Sequence, residues 1–114
     1  MRVFKTGATR NEDGDQFDYE GFLSPLVLRR FAEYMHGHRL QADGNFRSSD
    51  NWQKGMSLES YMKSGWRHFH DWWMEYDGYE SREGMEEALC GLLFNVQGFL
   101  HEILKANRSV KDGE

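Results

Sequence analysis

The sequence predicts an all-α fold, a small bundle of three main helices. Three observations predict it. Apolar residues recur at helical spacing in three separate segments, a single proline interrupts the chain, and no sustained apolar–polar alternation suggests a strand. The 114 residues fit one domain spanning 1–114, large enough to bury a modest core.

Residues 1–20, MRVFKTGATRNEDGDQFDYE, are polar and punctuated by glycine, and they read as an irregular N-terminal arm. The first helix is expected over 25–37, with Ser24 as N-cap and Pro25 at the first helical position. Leu28, Phe31 and Met35, flanked by Leu26 and Tyr34, supply its stripe, and Gly37 ends it. The following RLQADGNFRSSDNWQKGM has no period and reads as a long loop, a kind of segment that often carries function.

Ser57 caps a second helix running to about Tyr76. Leu58, Met62, Gly65, Phe69, Trp72 and Tyr76 form its seam, expected to face the core. Ser64, His68, Asp71 and Glu75 fall within roughly 60° of one another and form a polar strip beside that seam, where a cleft wall would be. YDGYESREG makes the next turn, and Ser81 is read as the cap of a third helix over 82–108. Leu89, Leu92, Leu93, Val96, Phe99, Leu100 and Ile103 give it a wide apolar face. Glu83, Glu87, Gly91, Asn95 and Gly98 lie towards the other side. Glycine within a helix costs about 1 kcal/mol against alanine, so Gly91 and Gly98 point to close approach by a neighbouring helix or a ligand. Residues 107–114 read as a frayed tail. Three such helices barely close a core, which favours completion by dimerisation.

Composition excludes some functions. Nineteen carboxylates against fourteen basic residues give a net charge of −5, where a binder of duplex nucleic acid would show a basic excess. A run of about 18 apolar residues and a signal-peptide core are both lacking, and Cys90 is the single cysteine. These features suggest a cytoplasmic protein with no membrane partner. Cys90 has no basic neighbour to activate it and reads as packing, as do Met35, Met62 and Met85.

Asp71 with Glu83, Glu86 and Glu87 form a candidate metal set, since an antiparallel second and third helix would bring them together. Clustered carboxylates beside a histidine suit Mg²⁺, a hard ion that takes oxygen ligands. Against this, glutamates in a first helical turn already favour the helix dipole and need no metal. The doublet His70-Asp71 resembles that of metal-dependent phosphohydrolases, but the two side chains point about 100° apart on a helix. Arg10, Lys54, Arg67 and Arg47 are the basic groups expected near a triphosphate, with Asn51 and Trp52 alongside. Trp52 either stacks on a base or anchors the loop, and Arg67 either meets phosphate or pairs with Asp71 at i, i+4.

The ordered set GATR (7–10), SPLVLRRFAEYM (24–35), DNWQKG (50–55), YMKSGWRHFHDWW (61–73) and ESREGMEEALCGLLF (80–94) resembles the phage and bacterial dATP/dGTP diphosphohydrolases. These are related to the MazG-like all-α nucleoside triphosphate pyrophosphohydrolases. The resemblance spans about residues 5–104. It implies a homodimer or homotetramer and Mg²⁺-dependent cleavage of a purine deoxynucleoside triphosphate to the monophosphate and pyrophosphate. It also implies site roles for Arg10, Asn51, Lys54, Arg67 and His68. The last helix departs from the family pattern: Glu87 and Gly91 stand where histidine and asparagine are usual, and only Glu83-x-x-Glu86 approaches the acidic MazG motif.

Two further expectations compete with catalysis by Arg67, His68 and Asp71. The same pocket would hold a nucleotide or a nucleotide-derived immune signal without cleaving it. Alternatively, the chain is an interaction protein whose aromatic face docks a partner.

Overall fold

The computed structural model describes residues 2–10 and 16–112. The fold is all-α, built on three long helices with a minor two-stranded ribbon. Helix α1 (Tyr19–Phe22) is one turn capped by Asp18, whose carboxylate accepts from Gly21 N at 2.8 Å. Helix α2 spans Pro25–Gly37, α3 spans Leu58–Tyr76 and α4 spans Met85–Asp112. The caps read from sequence hold: Ser24 Oγ accepts from Val27 N at 3.2 Å, and Ser57 Oγ accepts from Ser60 N at 3.1 Å.

Three expectations need correction. The N-terminal arm is not wholly irregular. Strands β1 (Arg2–Val3) and β2 (Thr9–Arg10) pair antiparallel, each too short to leave an alternation in sequence; positions 1 and 11–15 of that arm lie outside the described residues. Helix α4 begins three residues later than expected. Ser81 Oγ does accept from Gly84 N at 2.9 Å, but Gly84 has φ +84°, which no helical residue adopts. The segment from 107 is helical as far as Asp112, rather than frayed, and 113–114 lie outside the described residues.

The long loop also has structure of its own. Leu40 and Phe46 form a bridge, Arg47 N donates to Arg39 O at 2.8 Å, and Asn51–Lys54 make a 3-10 turn leading into α3.

Helices α3 and α4 form an antiparallel pair, and their contact is made by small and polar residues. A Cβ at Gly91 would collide with the His68 imidazole, and one at Gly98 with the Tyr61 ring; Gly65 meets Asn95 Cβ. Asn95 Nδ2 donates to Ser64 Oγ at 3.1 Å and to Gly91 O at 2.7 Å. Tyr61, Asp71, Ala88, Gly91, Asn95 and Gly98 are buried in this seam. The predicted α3 seam is therefore core-facing only at Gly65, while the convergence of the polar strip with α4 and the close approach at Gly91 and Gly98 are as the sequence suggests. The polar strip of α3 faces α4, and the larger side chains Met62, Phe69 and Tyr76 of the seam expected to face the core are exposed. Helix α2 leans on α4 through Arg30, whose Nε donates to Glu86 and whose Nη2 donates to Glu87, both at 2.8 Å. Tyr34 is buried on the same side.

Candidate functional site

A cleft of about 1060 Å³ opens between the C-terminal end of α2, the 38–56 loop, α3 and α4. Its cationic lining is Arg39, Arg47, Lys54 and Arg82, while Glu83 is the one carboxylate among the described lining residues. A chain of net charge −5 thus concentrates positive charge in this cleft, which favours an anionic ligand. Ser48, Ser49, Asn51 and Ser64 add neutral hydrogen-bonding groups, and Trp52 and Phe94 supply apolar surface.

His68 and Glu83 meet within this lining. The His68 Nδ1–H donates to Glu83 Oε1 at 2.6 Å, an interaction that fixes the tautomer and leaves Nε2 as the ring's accepting nitrogen. Gly91 makes room for the ring, so the missing side chain at 91 is a condition of this geometry. Asp71, one turn further along α3, is buried and accepts from Arg82 Nε at 2.5 Å. Ligand atoms of His68, Asp71 and Glu83 lie within 4.8 Å of one another. One carboxylate oxygen each from Asp71 and Glu83 are hard donors that fit one divalent cation with open positions for water and phosphate, and His68 lies beside them. Arg82 is the cation that now neutralises Asp71, and it approaches Glu83 at 4.0 Å.

Glu75 braces the turn that carries these groups. Its Oε1 accepts from Ser81 N at 3.1 Å and Ser81 Oγ at 2.9 Å, pinning the 77–84 connection to the end of α3.

The candidates read from sequence divide as follows. His68, Asp71 and Glu83 converge, and His68 and Glu83 line the cleft together with Asn51, Trp52 and Lys54, while Asp71 is buried behind them. Glu86 and Glu87 do not join them, because Arg30 of α2 holds both carboxylates. Arg67 is exposed and outside the cleft lining, being turned about 100° around α3 from His68. Asp71 pairs with Arg82 instead of Arg67. Arg10 sits exposed on β2, also outside that lining. The His70-Asp71 doublet does not converge, since His70 is exposed with its ring edge-on to Trp73 and Asp71 is buried. The Trp52 indole is anchored edge-on against His101 and Phe94, with ring centroids 4.9 and 6.1 Å away, so the loop-anchor role holds.

Sequence reasoning missed Arg39, Arg82 and Tyr34 as residues of this cleft. His38 Nδ1–H donates to Tyr34 O at 2.8 Å, and burial pushes the Tyr34 hydroxyl up to about 12, with the negative potential of Glu83 adding to it. Only Arg82 carried a local signal, a cation set between the Ser81 cap and Glu83. Cys90 is buried and its thiol is raised by that burial, consistent with the packing role expected of it.

Compared with family models, curated proteins and solved structures, the chain has no match in any of the three. Among the described residues, no helix is long and apolar enough to cross a membrane.

Proposed function

We propose that this chain is a phage-type nucleotide pyrophosphohydrolase acting on a purine (deoxy)nucleoside triphosphate, working with Mg²⁺ as a homodimer or homotetramer. One observation carries the reading: the His68–Glu83–Asp71 cluster adjoins a cleft lined by four cations in an otherwise acidic protein. The sequence resemblance described above supports the same activity.

In this reading a water oxygen forms a bond to the α-phosphorus and the bond to the bridging oxygen of the β-phosphate breaks. The products are the nucleoside monophosphate and pyrophosphate. His68 Nε2 takes the proton of the attacking water, and Glu83, holding Nδ1–H, stabilises the imidazolium. Mg²⁺ on Asp71 and Glu83 would neutralise phosphate charge, the main requirement of such a displacement. Lys54, Arg39 and Arg47 bind the outer phosphates, and Asn51 and Trp52 border the base and sugar. Incubation with a panel of nucleoside triphosphates and Mg²⁺ tests this. Pyrophosphate should appear with a purine substrate, and its absence with every member would remove the enzyme claim.

A second reading is favoured by the pairing of Asp71 with Arg82 and of Glu86 and Glu87 with Arg30, which leaves few carboxylates free for a metal. In it, the cleft sequesters a nucleotide or nucleotide-derived signal intact. Recovery of unchanged ligand from a tight complex would establish it, and turnover would exclude it.

A further inference from the structure

We infer that the outward face of the α3–α4 pair is where a second copy of this chain docks, forming a four-helix bundle with the site clefts on its outer sides. This assigns a surface to the homo-oligomer proposed above and rests on that part of the reading alone.

Each helix carries two seams with coiled-coil spacing. The inner seam of α4, Ala88, Gly91, Asn95 and Gly98, is buried against α3. The outer seam of α3 is Met62, Trp66, Phe69, Trp73 and Tyr76, spaced by four, three, four and three. That of α4 is Leu89, Leu93, Val96, Leu100 and Ile103, spaced identically. All ten are exposed, Trp66 at 65% and Trp73 at 57%. The outer seams lie about 135° round their helices from the inner ones, so both open on the same side.

The antiparallel register that sets Tyr61 over Gly98 and His68 over Gly91 also sets Trp66 level with Leu93 and Phe69 level with Cys90, next to Leu89. Between the two rows runs an apolar groove of about 590 Å³, floored by Gly65, Leu92 and Phe99. Seams of alternating three and four residues are complementary to other helices, through knobs-into-holes packing. Neither a small ligand nor a lipid surface demands that spacing.

The amount of surface points the same way. The chain exposes 9466 Å², against about 6,500 Å² for a compact monomer of 13.5 kDa. Its radius of gyration is 19.3 Å, where about 13 Å is expected for 114 residues. Part of the excess lies on the N-terminal ribbon and α1. The face itself carries four aromatic rings and Met62 on one helix and five aliphatic side chains on the other, the apolar and aromatic composition of an obligate interface. A two-fold arrangement that lays α3 of each copy on α4 of the other sets large rings against smaller side chains everywhere, and it is self-complementary. The cleft is lined by Ser64 and His68 of α3 and by the α2 side of the molecule, so docking leaves it open.

Sedimentation of the full chain over a wide concentration range tests the oligomer. The expected mass is at least twice 13.5 kDa, with tryptophan emission moving to longer wavelength on dilution as Trp66 and Trp73 become wet. A monomer at every concentration overturns the proposal, and so does a monomer that floats with phosphatidylcholine vesicles. The double variant Trp66→Glu/Val96→Glu tests the surface. It should sediment as a monomer, retain helical circular dichroism and bind nucleotide as the parent does. An unchanged mass would place the interface elsewhere. If the variant unfolds instead, the parent's concentration-linked emission shift decides, and a shift absent across its dissociation overturns the assignment. Nucleotide binding or turnover is read separately, so its failure leaves the assembly result standing.

Discussion

The imidazole of His68 lies across the face of Gly91, in the space that any larger residue at 91 would fill, and from there it reaches Glu83. A position chosen for backbone economy would hold alanine, because glycine inside a helix is disfavoured by about 1 kcal/mol. The vacancy serves the histidine. Gly91→Ala should therefore gain helix propensity yet lose net stability by about 1–2 kcal/mol through overpacking. It should also break the His68–Glu83 contact and lower any turnover by at least an order of magnitude. Chemical denaturation and the His68 ring nitrogen shifts by NMR check this. A more stable variant with an unmoved ring would contradict it.

Tyr61 occupies the equivalent space over Gly98, but its buried hydroxyl has no hydrogen-bond partner. Burial without a partner also raises its pKa, and Glu102 adds to the rise. Removing an unsatisfied buried hydroxyl relieves its desolvation, so Tyr61→Phe should be neutral or stabilising by up to about 1 kcal/mol. A loss of more than that in urea unfolding would mean the hydroxyl has a partner in solution.

The sequence places both Lys54 and Arg67 near a triphosphate, and their positions in the fold separate them. Lys54 lines the cleft and Arg67 does not. If the cleft holds a triphosphate, Lys54→Ala should weaken binding about tenfold, the scale of one charge-assisted hydrogen bond. Arg67→Ala should change it less than twofold. Equilibrium titration by calorimetry compares them, and equal effects would place the ligand elsewhere.

What was legible in the sequence was local. Ser24-Pro25 and Ser57 fixed two helix starts because capping is decided by the residues at the cap. His68, Asp71 and Glu83 were legible as a group because a short turn returns α4 alongside α3. Periodicity could not say which of two seams meets a neighbour inside the chain, and the apolar one was the natural choice. The clue lay in Gly65, Gly91 and Gly98, which mark the closely packed side. Arg39 was illegible for another reason. It enters the cleft only because the bridge at Leu40 and Phe46 folds the loop back, and Arg39 Nε then donates to Arg47 O at 2.9 Å.

Arg82 gives a test of the metal cluster. Its guanidinium is half-exposed while Asp71 is buried, so the pair is held mainly to satisfy the carboxylate. Arg82→Gln should lower stability by about 1–3 kcal/mol, because a buried charge loses its partner. If Asp71 and Glu83 take a divalent cation, that ion competes with the guanidinium, and Mn²⁺ should bind the variant more tightly and restore its stability. Stability that is lower and indifferent to Mn²⁺ would leave the cluster as a purely structural ion pair.

Tyr34 makes stability depend on alkaline pH. Its hydroxyl titrates near 12 in the folded chain against an ordinary 10.0, first because it is buried and then because Glu83 and Glu87 oppose a second negative charge. An unfolded tyrosine gives up its proton through pH 10, and the folded one holds it until about 12. The neutral hydroxyl therefore contributes its full stability below pH 10, and that contribution is lost as pH rises from 10 through 12. Two pKa units correspond to at most about 2–3 kcal/mol. Tyr34→Phe has no proton to lose and should show a shallower decline over this window, while matching the parent within about 1 kcal/mol at pH 7. Tyr61, also raised, leaves some slope in both proteins. Urea unfolding at pH 7, 10 and 11.5 measures the difference, and parallel curves would show that the Tyr34 ring is not buried in solution as it is here.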